Sequence, residues 1–247
     1  MEIQKTARIF GWLFIATFIT SIGAKILFVT GVGGSFDQLK FTPGDLSETT
    51  LYFGAILEFL LIVSGIGTAV ALYPIVKRHS EGLALGYVTA RVVECTFILV
   101  GLISLVSLVS VSDALVGATG AEAAALTAQG GSLVATYDWA FLFGPGLVVG
   151  FGNGLILGYL MYRSGLVPRR MAMFGLIGGP LLILSFGLTL FGVYENGSAP
   201  SFLLALPEII WEASLGIYAA SKGFRSSAIT KTVDVRDEAP KPSPVMV

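Results

Sequence analysis

Residues 83–111 read LALGYVTARVVECTFILVGLISLVSLVSV, an apolar run that carries an arginine at 91 and a glutamate at 94. A helix needs only about 20 mostly apolar residues to cross the hydrocarbon core of a bilayer. The run is therefore predicted to span a membrane, with length to spare for tilt or projection. Working outward from it, comparable runs recur at Ile9–Val29, Leu51–Val76, Tyr137–Tyr162, Met171–Val193 and Phe202–Ser221. The predicted fold is all-α, a polytopic bundle of six transmembrane helices.

Composition agrees. Apolar residues make up 54% of the chain and mean hydropathy is +0.83, extreme values for a soluble domain. Six spans in 247 residues leave short loops and a tail, with no room for a separate soluble catalytic domain. Residues 1–225 are read as one membrane domain. Residues 226–247 are polar and contain Pro240, Pro242 and Pro244, a composition that cannot bury enough surface to fold, so a disordered cytoplasmic tail is expected. Lys5 and Arg8 precede the first apolar run as in a signal peptide, but the run continues to Val29 without a small-residue cleavage site and is read as the first span.

Charge sets the expected orientation. Lys5, Arg8, Lys77, Arg78, Arg163, Arg169, Arg170, Lys222 and Arg225 fall on the side of the N-terminus, against Lys40 alone on the other. By the positive-inside rule both termini are expected in the cytoplasm, in a multi-pass protein of the cell membrane. Asp37, Asp45, Glu48, Asp113, Glu122 and Glu195 then make the outer face mildly acidic, and the alanine-rich segment Ala118–Gln129 is expected to form a short surface helix. Cys95 is the only cysteine and His79 the only histidine, so neither a disulfide nor a cysteine or histidine metal cluster is expected. No cofactor, nucleic-acid partner or catalytic residue is predicted. The expected partners are the lipid bilayer and an unidentified protein or a second copy of the chain.

The ionisable residues inside the spans carry the functional reading. Counting along each helix at about 1.5 Å per residue places Arg91, Glu94, Glu212 and Asn153 roughly 13–18 Å from the inner boundary, and Lys25, Glu58 and Glu208 roughly 21–27 Å up. Arg91 and Glu94 share a helix face and can pair within it. Glu208 and Glu212 also share a face, where like charges repel, so a proton, a cation, water or a basic partner must relieve them. Arg91 is at the depth of Glu212, and Lys25 at that of Glu208 or Glu58. Two cations against four carboxylates leave two acids over, which in dry surroundings take a proton or a cation. Arg91, Glu94, Glu212, Glu208, Glu58, Lys25 and Asn153 are thus the candidate ion- or substrate-binding residues. Ties between helices are the rival role for the same charges.

Gly146, Gly150, Gly154 and Gly158 recur every four residues and make a smooth stripe along which another backbone can approach. Pro145, Pro180 and Pro207 each remove a backbone donor within a span, and Pro145 and Pro207 are expected either to kink their helices or to border a cavity.

Several runs carry a family likeness: Glu81-Gly82-Leu83-Ala84-Leu85-Gly86-Tyr87-Val88 followed by Arg91-Val92-Val93-Glu94, Phe143-Gly144-Pro145-Gly146, Gly158-Tyr159-Leu160-Met161-Tyr162-Arg163-Ser164-Gly165-Leu166-Val167-Pro168-Arg169, and Gly175-Leu176-Ile177-Gly178-Gly179-Pro180. They resemble the prokaryotic membrane proteins grouped as domain-of-unknown-function family 4386, over about residues 5–225. The resemblance implies a bacterial or archaeal cytoplasmic-membrane protein of about six helices and brings no activity with it. Three functions stay open: a small-solute or proton/cation-coupled transporter using the buried carboxylates, a non-catalytic structural or regulatory subunit, and an enzyme acting on a lipid.

Overall fold

The computed structural model describes residues 3–35 and 38–226, so the predicted tail from 227 onward and Asp37 lie outside the described residues. Helices α1 (Ile3–Val32), α2 (Glu48–Val76), α7 (Arg169–Leu190) and α8 (Ala199–Lys222) each form one span. The third span is α3 (Glu81–Val106) continued after a break at Ser107 by α4 (Leu108–Leu115). The fourth runs from α5 (Gly120–Phe141) through two π-helical segments, Leu142–Val148 and Gly150–Leu157, into α6 (Gly158–Ser164). Six helices are thus long and apolar enough to cross a membrane. Helices suit that setting because each satisfies its backbone groups internally where no water is at hand.

Local chemistry marks the helix ends. Ser80 caps α3 by accepting from the Leu83 amide at 3.4 Å. Gly165 ends α6 in the left-handed region at φ 69°, a conformation that L side chains rarely adopt. Pro168 then leads directly into α7.

The six spans pack as a closed ring in chain order, with α1 contacting both α2 and α8 and the fourth span contacting both α3 and α7. Both ends of the membrane domain meet on one face, where the Gln4 side chain donates to the Phe224 carbonyl at 2.7 Å and the Arg225 amide to Leu166 at 2.8 Å. The outer surface is apolar: Trp12, Ile19, Phe53, Val70, Ile103, Ile177 and Leu203 all point outward. Inside, one apolar core around Phe10, Leu72, Tyr87 and Trp211 lies toward the terminal face, and a second around Phe28, Leu51, Ile98 and Tyr137 lies toward the other. Charge buried between two apolar cores, beneath an apolar exterior, is the pattern lipid selects.

One expectation is corrected. Ala118–Gln129 is no separate surface helix: from Gly120 it is the first part of α5, which continues into the fourth span. Leu39 and Phe41, from the loop between α1 and α2, are buried, and Phe41 packs on Gly130 and so gives α5 an apolar contact there. At Pro145 the helix does not stop, and the proline borders the central cavity. The proline ring clashes with the preceding turn of an α-helix, and the chain relieves this by widening to π geometry. At Pro180 and Pro207 the α-helix runs through.

Candidate functional site

A cavity of about 240 Å³ occupies the middle of the ring, and every span contributes to its wall. Its charged lining is Arg91, Glu94, Glu208 and Glu212; Thr17 and Ser21 of α1 add hydroxyls, and Pro145 borders it while Pro207 does not.

Arg91 is built in on all sides. Its Nη1 donates to Glu94 Oε2 at 2.7 Å, its Nε to the Gly65 carbonyl at 3.3 Å, and its guanidinium lies 5.5 Å from the centre of the Phe14 ring. Gly65 makes the second contact feasible, because a β-carbon there would stand 3.0 Å from Cys95 Sγ and 3.5 Å from Arg91 Nη2. A turn below, the Tyr87 and Thr68 hydroxyls are 3.4 Å apart. The ion pair closes within α3, so Arg91 has Glu94 as its direct partner and acts on Glu212 only across space.

Glu212 takes a hydrogen bond from the Asn153 side-chain amide. Asn153 is fully buried in the second π segment, and its backbone carbonyl accepts from Trp211 Nε1 at 2.9 Å. Glu208, one turn from Glu212, is only 2% exposed, and neither of its carboxylate oxygens has a hydrogen-bond partner among the described residues. It lies against two glycines: a β-carbon on Gly178 would be 2.7 Å from Glu208 Oε2, and one on Gly154 would be 2.9 Å away. The stripe at Gly150, Gly154 and Gly158 faces α7, where Gly179 and Leu176 meet it backbone to backbone; Gly146 instead lies near its own segment.

The depth count put Glu208 with Lys25 and Glu58 in an outer layer. The structure divides them. Glu208 joins the central cavity, whereas Glu58 is absent from its lining and sits in a separate node between α2 and α5. There Tyr137 Oη donates to Glu58 Oε1 at 3.4 Å, and Lys25 Nζ lies 5.3 Å from the centre of the Tyr137 ring. Lys25 acts electrostatically on Glu58 and on Asp138. Asp138 in turn lines a vestibule of about 780 Å³ on the face opposite the chain ends, together with Glu195, Asn196 and Leu142. Phe141 and Pro145 face the cavity, while Asp138 and Leu142 face the vestibule, so one stretch of the fourth span separates the two spaces.

Gly65, Tyr137 and Trp211 were not singled out from the sequence. Gly65 is one glycine among many in apolar runs, and the two aromatics read as ordinary core; only packing turns their donors and vacant space toward the charges.

A family model described as Domain of unknown function (DUF4386) matches residues 9–223. No curated protein and no solved structure matches the chain. The match spans nearly the whole membrane domain, and the chain belongs to that family.

Proposed function

We propose that this family member is a cation- or proton-coupled transporter of a small solute, with its binding site in the central cavity and its termini in the cytoplasm of a prokaryotic cell. The observation that carries the reading is the charge count of the cavity. Arg91 and Glu94 neutralise each other at 2.7 Å, which leaves Glu208 and Glu212 facing the same space with no second cation in the lining. Two neighbouring carboxylates in dry surroundings exchange protons for cations rather than remain bare. A cation that binds one of them releases the proton it held, and this exchange couples the two movements.

Each surrounding part has a role in this scheme. Asn153 and Trp211 hold Glu212 in place; the Arg91–Glu94 pair forms a fixed wall; the acidic vestibule above Phe141 and Leu142 collects cations on the outer side. The π-helical stretch between vestibule and cavity is the natural place for a gate, since π turns hold their backbone hydrogen bonds less uniformly than α turns. The basic residues clustered on the terminal face support the orientation. The subunit reading draws on glycine stripes as outward interfaces, and Gly150, Gly154 and Gly158 are instead used within the chain against α7.

The test is flux in proteoliposomes under an imposed pH gradient. Wild type is expected to carry gradient-driven cation flux that Glu212→Gln abolishes and Glu58→Gln leaves intact. Flux no greater than in empty liposomes, or flux indifferent to Glu212→Gln, would overturn the proposal.

A further inference from the structure

The central cavity and the lipid-facing surface share a thin wall at the seam between α1 and α8. α1 and α8 pack closely: a β-carbon on Gly11 would lie 2.7 Å from the Ala219 carbonyl carbon, and one on Gly216 3.2 Å from Phe14 Cβ. On the lipid side of this contact a groove of about 220 Å³ runs between the two helices, with Phe14, Ile19, Ala213, Gly216 and Ile217 in its walls. Ile19 and Ile217 are 66% and 59% exposed, so the groove lies on the apolar outer surface. Phe14, Phe18 and Glu212 belong to both the groove and the central cavity. Glu212 is the one ionisable residue in the groove's lining, and it is shared with the cavity.

We infer that the ligand of the cavity is a lipophilic organic cation with a primary ammonium head, admitted from the bilayer through the seam between α1 and α8. The inference rests on the transport reading and names its substrate class. Charge decides the head group. Arg91 is taken by Glu94, and both oxygens of the buried Glu208 lack a donor, as does Asn153 Oδ1. A primary ammonium brings a positive charge and three donors to acceptors that have none, whereas an anion would meet two carboxylates. The groove decides the rest of the molecule: it offers apolar contact along its length and has Glu212, a residue of the cavity too, in its wall, so an alkyl chain lies in it while the head sits at Glu212 and Glu208. The small cavity holds the head, and the tail never has to enter it.

The experiment is equilibrium binding of radiolabelled dodecylammonium to the protein in lipid nanodiscs, with binding to empty nanodiscs subtracted. Saturable binding is expected, weakened by about tenfold or more in Glu212→Gln and equally in Ala213→Trp, which fills the groove. Ile217→Trp, at the exposed rim, and Ala213→Leu repeat the blockade should Ala213→Trp fail to fold. Dodecyl sulfate should not compete, and methylammonium should compete only weakly. Equal competition by methylammonium, or binding indifferent to every groove variant, would overturn the inference. The pH-driven flux and its loss in Glu212→Gln are measured independently of the groove, so they stand if only the substrate class is wrong and fail if the transport reading itself is wrong.

Discussion

Trp211 Nε1 donates to the backbone carbonyl of Asn153 at 2.9 Å, and the next residue on α8, Glu212, takes the side-chain amide of the same asparagine. Two successive residues of the sixth span thus grip one residue of the fourth at its π-helical turn. Trp211 and Asn153 are both fully buried, so the bond between them has no water to compete with it, whereas Glu212 borders the cavity. Trp211→Phe keeps most of the ring and deletes the donor. It is expected to destabilise the protein by about 0.5–1.5 kcal/mol, the usual net loss of a hydrogen bond whose acceptor keeps another donor, here the Gly158 amide, and to weaken cation binding through Glu212. Thermal melting in detergent checks the first effect, and an unchanged melt would remove the grip from the account.

Arg91 and Glu94 are expected to behave as a unit. Neutralising either alone leaves a buried charge without its partner at 2.7 Å, a loss of about 3–5 kcal/mol. The double variant Arg91→Gln/Glu94→Gln removes both charges and is expected to lose less than either single variant. A double-mutant cycle by chemical or thermal unfolding decides it, and simple additivity would mean that the pair is not coupled.

Glu208 predicts the opposite response. Its oxygens have no partner to lose and its nearest charge is the like-signed Glu212, so Glu208→Gln is expected to leave the melting temperature unchanged or higher. A drop as large as that of Glu94→Gln would show that Glu208 already holds a stabilising partner in the membrane.

The glycines divide by what surrounds them. A β-carbon on Gly178 would stand 2.7 Å from Glu208 Cα, a backbone atom that can move only if α7 and α8 separate. Gly178→Ala is therefore expected to destabilise by about 1–3 kcal/mol. Gly187, on the same helix, has nothing within 4 Å of that position. There alanine is expected to be neutral or to stabilise by up to about 1 kcal/mol through helix propensity. Parallel melts of the two variants make the comparison, and equal effects would contradict the packing.

Glu58 and Tyr137 form a second node away from the cavity. Tyr137→Phe removes the donor at 3.4 Å and is expected to lower stability while leaving cation binding at Glu212 within about twofold of wild type. Titrating dodecylammonium binding in this variant tests the separation, and a large loss would join the two nodes functionally.

Six long apolar runs, the side on which each loop falls and the presence of charge within the spans are one-dimensional properties, so hydropathy and the rise of a helix were enough to determine the bundle and its span count. The same counting left the neighbours of Glu208 undecided. Depth along a helix says nothing about rotation around it or about which neighbour it meets, and the ring brings Glu208 to Glu212 while it sends Glu58 to Tyr137. Charge arithmetic foresaw two surplus carboxylates, but only packing decided which two, because the choice rested on Arg91 reaching Glu94 and the Gly65 carbonyl across a gap that a glycine leaves. The proline at 145 was legible as a disturbance. That the helix runs on there as π turns packed between α3 and α7 is seen only in the assembled bundle.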